Sequence, residues 1–193
     1  MINTTLNKIR EHSPCKSSWE KLLESLGKTK ADDEPLSMRY ILETLNVQDF
    51  LWGTRTLPDH KDVWVSLACD FAEHALPIFE KKYPKDKRPR DCITATRKFI
   101  VGEITREELN KRRRAAAADT AGAAGAAYAA AAAAAAADAD AAGAYAAAAV
   151  YAVAYAAGAA YASYAAAAAA ADAAERQWQK ERIIEVLEAS HEV

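Results

Sequence analysis

The side chains best able to do chemistry are three cysteines and four histidines, and their spacing assembles no reactive site. Cys15, Cys69 and Cys92 form no CxxC pair, and no histidine stands at metal-ligand spacing from them. The histidines form no HxxxH or HExxH arrangement of the kind that binds zinc. Cys69 and His74 are five residues apart on one predicted helix, so they point in different directions. We therefore expect free thiols, no metal, no cofactor and no catalytic activity.

An acidic cluster could bind a divalent cation or contact a basic partner, and it consists of Asp32, Asp33 and Glu34. No second set of carboxylates stands at helical spacing to complete the oxygen shell that such a cation takes. The alternative is a solvated loop whose charge favours the start of the following helix. We keep the three residues as candidate contacts for a partner.

Two basic runs could hold a phosphate group, one with Arg88 and Arg90, the other with Arg112, Arg113 and Arg114. Two glutamates on the same predicted helix partly neutralise the second run, and the isolated glycines form no phosphate-binding loop. The whole chain has 25 Lys and Arg against 27 Asp and Glu, for a net charge of -2. Nucleic acid is therefore not an expected partner, whereas a small phosphate-bearing ligand stays open.

A set of tyrosines offers a third kind of surface: Tyr145, Tyr151, Tyr155, Tyr161 and Tyr164. Tyr151 and Tyr155 are four residues apart, and the last two tyrosines are three apart, so each pair shares a helix face. Tyrosine buries a large area at a small entropic cost, which suits a binding face. The alternative is that the rings cover the seam between two helices, and the sequence leaves both interpretations open.

The elements that would position these residues are predicted to be helices. Ser17 and Glu20 fit a capping box, and Gly27 is placed to end the helix that follows. Pro35 suits the first turn of the next helix. A longer helix comes later, and Pro77 inside it is expected to kink or shorten it.

Further along the chain, Pro89 suits a helix start, Gly102 suits its end, and Thr105 with Glu108 forms a second capping box. No stretch alternates β-branched and polar residues over a useful length, so no strand is predicted.

Residues 115–174 are mostly alanine, which has the highest helix propensity of all residues. One straight helix from residue 105 to residue 189 would be about 125 Å long, so we expect about two or three antiparallel helices joined at glycines. Small side chains allow these helices to pack closely. Aspartates interrupt the run, which argues against a membrane span. Residues 1–10 lack the apolar run of a secretion signal, so we expect a cytoplasmic protein.

The composition changes at about Arg114, and the chain is divided into two predicted parts at residue 105, where the helix that runs into the alanine-rich segment is expected to begin. Residues 1–104 form a helical part of mixed composition, and residues 105–193 form an alanine-rich helical part packed on it as one continuous domain. The predicted fold is an all-α multi-helix bundle with closely packed, alanine-rich antiparallel helices. Self-association through those helices stays open.

Two stretches carry a resemblance to a known family, residues 69–80 and residues 86–97. They resemble the Imm5-like immunity proteins, helical proteins with a Leu-Pro-x-Phe-Glu stretch, an Arg-Pro-Arg turn that opens the next helix, and alanine-rich helices. Residues 13–37 and 175–178 also look like alanine-rich phage and prophage proteins. This chain departs from both groups because its alanine tract carries tyrosine and glycine where relatives usually have Trp, Arg and Asp.

The resemblance implies a non-enzymatic protein that neutralises another protein by steric occlusion, either a toxin (immunity) or a defence effector (anti-defence). The contact surface would be the tyrosine-bearing face or the acidic loop. The alternative is a helical sponge that sequesters a small nucleotide-like signal molecule, using tyrosine stacking and the arginines of the basic runs.

Overall fold

The structure, a computed structural model, describes residues 2–117 and 168–190. Two strands are β1 (Asn3–Thr4) and β2 (Leu36–Ser37). The first helices are α1 (Leu6–Glu11), α2 (Lys16–Ser25), α3 (Met38–Thr44) and α4 (Val47–Gly53). Two 3₁₀ helices follow, Thr54–Thr56 and Pro58–His60. The remaining described helices are α5 (Lys61–Lys82), α6 (Arg88–Ile100), α7 (Arg106–Ala117) and α8 (Ala168–Ala189). The all-α class is confirmed.

The strands are a feature that the sequence pattern did not predict. Asn3 pairs with Ser37 and Thr4 with Leu36 in an antiparallel ladder of two residues per strand. The buried hydroxyl of Thr4 lies 2.7 Å from that of Thr56, which ties the strand to the first 3₁₀ helix. Alternation becomes recognisable only over about four to eight residues, so strands this short leave no pattern.

Several helix ends agree with their sequence signals. Gly27 and Gly102 have φ values of +64° and +76° and follow the ends of α2 and α6, as glycine does at a helix C-terminus. Pro89 lies in the first turn of α6. The capping box before α7 is confirmed, because the Glu108 carboxylate accepts from the Thr105 N–H at 3.0 Å.

Two other predicted helix starts are wrong. Helix α2 begins at Lys16 with Cys15 as its N-cap, so Ser17 lies inside the first turn and its predicted capping box does not form. Helix α3 begins at Met38 and not at Pro35, because the residues between them are drawn into β2 and its pairing with β1. For α3, the long-range strand pairing overrides the local signal.

Helix α5 runs through the centre of the molecule. Its side chains Trp64, Leu67 and Phe71 are completely buried. The helix continues through Pro77 to Lys82, so the proline does not end it. The missing N–H of a proline removes one bond of the helix, and the exposed position of Pro77 leaves the freed carbonyl near water.

The two helices that flank residues 118–167 pack on the same core. Helix α7 contacts α6, and α8 contacts α5, α3 and α4. The buried side chains Leu109 of α7 and Ile183 and Leu187 of α8 belong to the core cluster that includes α5. The division at residue 104 stays a prediction. The predicted alanine-rich hairpins concern residues 118–167, outside the described ranges. Within those ranges, every helix is too short or too polar to cross a membrane.

Candidate binding site

A cavity of about 230 Å³ opens between α2, α3 and α4. Its walls are mostly apolar, and the largest of them are the half-buried rings of Trp19 and Trp52. The remaining apolar wall residues are Ile9, Pro14, Leu22, Ile41, Leu45 and Gly53. Trp19 lies on the apolar face of α2, as its spacing predicts. This position puts its ring in the wall of the cavity.

One edge of this cavity is polar, and its groups form a connected chain. The Cys15 Sγ lies 3.1 Å from the Ser18 Oγ, which donates to Asp49 Oδ2 at 2.9 Å. Asn46 donates to the same Oδ2 at 2.7 Å and caps α4 by accepting from the Asp49 N–H. Hydrogen bonding to Ser18 and to the Ser17 hydroxyl lowers the pKa of Cys15 below its ordinary value.

A second candidate feature is an ion network that joins three helices. Asp70 on α5 accepts from Arg97 of α6 at 2.7 Å and from Arg182 of α8 at 2.9 Å. Arg97 also reaches Glu73 at 3.0 Å, and Arg182 reaches Glu185 at 2.7 Å. The Asp70 side chain is only 14% exposed, whereas each arginine is 38% exposed. Asp70 therefore joins the three helices at a largely buried position, whereas the two arginines present positive charge at the surface.

Next to this network, an aromatic pair joins α5 to α8. The imidazole of His74 stacks on the indole of Trp178. The His74 Nε2 lies 3.2 Å from the buried carboxylate of Glu175, whose other oxygen accepts from Gln179 at 2.9 Å. Phe71 meets the same indole edge-on. His74 and Phe71 lie in the stretch 69–80 that carried the family resemblance, and their contact with Trp178 was not predicted.

The acidic cluster forms ion pairs with a lysine of the same loop. Lys28 donates to Asp32 at 2.5 Å and to Glu34 at 2.6 Å, while Asp33 is exposed. The hydrogen bond from Lys28 lowers the pKa of Asp32, and the bond to Asp32 in turn raises the pKa of Lys28. Two of the three candidate carboxylates are thus already paired within the chain.

The first basic run is likewise engaged. Arg88 binds both carboxylate oxygens of Asp86, at 2.9 and 2.5 Å, and Arg90 binds both oxygens of Glu80 at 2.7 Å. These bonds lower the pKa of Asp86 and the pKa of Glu80. Such two-point pairs match the fork of the guanidinium group, which is the same geometry that a phosphate would need.

The second basic run lies on α7. Arg112 lies 3.7 Å from Asp91 of α6, Arg113 is half-buried, and Arg114 is exposed. The backbone and hydroxyl of Thr105 lower the pKa of Glu108, and the charge of Arg112 adds to this effect. The second run, the first run and the acidic loop are paired with different partners, namely Asp91, Glu80 and Lys28.

The three cysteines are free thiols, as predicted. Burial raises the pKa of Cys69 and the pKa of Cys92 to about 12, so both stay protonated at neutral pH. Residues 2–117 and 168–190 contain no group of three His, Cys, Asp or Glu side chains that could hold a metal ion. The five candidate tyrosines, Tyr145 to Tyr164, fall in residues 118–167 and so outside the part that the structure describes.

The sequence reasoning missed the cavity and the Asp70 network. Asn46 followed three residues later by Asp49 is a recognisable helix-cap signal, but nothing local shows that Ser18 meets this carboxylate from another helix. Asp70 and Arg182 are 112 residues apart, and their pairing leaves no trace in local spacing.

Comparison with known proteins gives one family. A search of curated proteins and a search of solved structures each return no match. The family described as "Imm-5 like putative immunity protein" matches residues 56–186, about two thirds of the chain. The match includes α5, α6 and α7 and most of α8, and with them Asp70, His74 and Trp178. The further resemblance to phage and prophage proteins stays a prediction. The chain belongs to the Imm-5 like immunity protein family.

Proposed function

We propose that this protein is a non-enzymatic binding protein that neutralises a toxin or a defence effector by steric occlusion. The observation that supports this most directly is the family match over residues 56–186, because its description names immunity proteins. A protein of this kind needs a binding surface that is already ordered before the partner arrives, because ordering a surface on binding lowers the affinity.

The packing of the matched segment suits such a surface. Asp70 joins α5, α6 and α8, and the stack of His74 on Trp178 fixes α8 to α5 once more. The two ends of the alanine-rich part, α7 and α8, are therefore anchored on the core. We propose that the tyrosines between them, Tyr145 to Tyr164, present the contact face in a cytoplasmic protein.

The arginine pairs favour this function over the small-ligand sponge. Arg88 and Arg90 each hold a carboxylate of their own chain in two-point geometry. A phosphate group would have to displace Asp86 or Glu80, and the exchange would leave a carboxylate beside the bound anion. That repulsion opposes the binding of a nucleotide-like ligand at this position.

The thiol chemistry also favours binding over catalysis. Cys69 and Cys92, the two buried thiols, have pKa values raised to about 12 and lack the thiolate that a nucleophile needs. Cys69 is buried whereas His74 is exposed and stacked on Trp178, so the two do not form a nucleophile–base pair.

The test is co-expression with candidate toxins and defence effectors, taken first from the genes that flank this one. We expect growth to be restored and a stable complex of the two proteins to elute together in size-exclusion chromatography. The double variant Tyr151→Ala/Tyr155→Ala should lose rescue while keeping its helical circular dichroism and its unfolding midpoint. Rescue without any complex, or a complex that needs only a bound metabolite, would contradict the proposal.

A further inference from the structure

The cavity between α2, α3 and α4 lies outside the segment that the family describes. Its lining residues come from positions 9–53, whereas the family match begins at residue 56. A binding role of this cavity would therefore be particular to this chain and its closest kin in residues 1–55. It is also separate from the alanine-rich part on which the tyrosines lie.

The size of the cavity favours one side chain over a free small molecule. Its volume of about 230 Å³ is below the range of about 300–1,000 Å³ that is usual for small-molecule sites. Pockets that take a single anchoring side chain are a common feature at the centre of protein–protein interfaces. A protruding residue of a partner protein is thus the better fit.

The charge of the cavity favours a cationic side chain. Asp49 is its one charged lining residue, and its carboxylate accepts hydrogen bonds from two uncharged side chains, Ser18 and Asn46. Both of these bonds are made to Oδ2, so Oδ1 is the oxygen on which a further donor would be received. A carboxylate fixed by two donors, with one oxygen left over, is complementary to a guanidinium or ammonium group.

The aromatic walls favour a planar cation with an apolar stem. The indoles of Trp19 and Trp52 offer electron-rich faces, and the guanidinium of Arg55 already lies 4.3 Å from the Trp52 ring centre. The methylene groups of an arginine would pack on Leu22, Ile41 and Leu45, which also line the cavity. An arginine side chain thus provides a planar cation for the tryptophan rings and methylene groups for the aliphatic residues.

We propose that this cavity receives an arginine side chain of the partner protein, with the guanidinium on Asp49 and the stem against the two tryptophans. This rests on the proposed function, because it assumes that the partner is a protein. It adds a second contact to the tyrosine face and selects partners that display an arginine at the matching position.

The test uses the free full-length protein and N-acetyl-arginine amide as the probe, so it does not need the toxin. The indole N–H signals of Trp19 and Trp52 are followed by NMR and assigned with Trp→Phe variants, with those of Trp64 and Trp178 as internal references. We expect saturable chemical-shift changes of the Trp19 and Trp52 indole N–H signals. The dissociation constant should lie in roughly the millimolar range that is usual for one side chain. N-acetyl-leucine amide should bind more weakly.

Two cavity variants and one matched control make the test decisive. Asp49→Asn should weaken arginine binding about threefold to tenfold, whereas Asp62→Asn, at an exposed carboxylate outside the cavity, should leave it unchanged. Gln48→Glu adds a carboxylate to the lining and should strengthen binding, a gain that misfolding cannot imitate. Absence of arginine shifts, equal binding of the leucine probe, or no effect of Asp49→Asn would each overturn the proposal. Rescue of growth in the co-expression test would then still stand, so the two failures are distinguishable.

Discussion

The imidazole of His74 on α5 lies flat on the indole of Trp178 on α8, with ring centres 3.6 Å apart and planes inclined by 7°. The His74 Nε2 also lies 3.2 Å from the Glu175 carboxylate, one turn before the tryptophan on α8. The pair therefore joins the end of the alanine-rich part to the central helix. The tyrosine-bearing residues can act as a contact face only if their two ends are held in this way.

Replacing Trp178 with alanine should loosen α8. The half-buried ring covers His74 and meets Phe71, so its loss should lower the free energy of unfolding by about 2–4 kcal/mol, at or below the usual cost for a fully buried tryptophan. Urea denaturation followed by circular dichroism measures this change. Val101→Ala, at a side chain that is 69% exposed, is the control and should change the value by less than about 0.5 kcal/mol. Equal effects of the two variants would show that the stack does not stabilise α8.

Replacing Asp70 with asparagine should destabilise the junction of α5, α6 and α8. The variant removes the charge that Arg97 and Arg182 share, and we expect a loss of about 2 kcal/mol in the free energy of unfolding, as for hydrogen bonds to charged groups. Glu185→Gln removes an exposed partner of Arg182 and should cost less than about 1 kcal/mol. A larger loss for Glu185→Gln than for Asp70→Asn in thermal or urea unfolding would contradict the assigned order.

Cys15 should be the one cysteine that reacts in the folded protein. It is exposed and its pKa is lowered by the hydrogen bonds of Ser18, whereas burial raises the pKa of Cys69 and of Cys92 to about 12. Titration with a chromogenic disulfide at neutral pH should release one equivalent rapidly and the other two only after unfolding. Ser18→Ala should slow the rapid phase by raising the Cys15 pKa. Rapid release of all three equivalents from the folded protein would contradict the burial of the other thiols.

Acid should destabilise the protein in part through the pair of Glu80 with Arg90. The hydrogen bonds from Arg90 hold the pKa of Glu80 below its usual value in the folded state. The unfolded chain therefore binds the proton more readily, and the stabilisation present above about pH 4.3 is lost as the pH falls through the lowered value. In urea titrations at several acidic pH values, Glu80→Gln and Arg90→Ala should both reduce the dependence of the unfolding free energy on pH. An unchanged slope in both variants would refute this assignment.

The sequence predicted those parts of the fold that depend on neighbouring residues. Gly27 and Gly102 take up backbone conformations that other residues avoid, and Thr105 and Glu108 meet within a single turn, so their effects can be seen locally. The start of α2 could not be predicted in the same way. The helix begins two residues earlier than its cap signal predicts, with Cys15 as the N-cap and no side-chain capping bond.

The candidate site was harder to predict because its contacts join residues that are distant from one another in the sequence. The acidic loop and the first basic run were recognised as charged groups, but Lys28 lies outside the acidic cluster and Glu80 precedes its partner Arg90 by ten residues. Whether a charge is paired depends on where the chain folds back. The cavity is a still less local property, because its walls come from four helices and a loop that spacing alone cannot bring together.

The central claim, neutralisation by stoichiometric binding, is tested most directly by titrating the purified toxin with this protein and measuring the residual toxin activity. An occluding partner predicts a linear fall that reaches its end point at a molar ratio of about one, independent of incubation time, with the mass of the toxin unchanged. Loss of activity at a small fraction of that ratio, growing with time or accompanied by a change in toxin mass, would show catalysis and contradict the account.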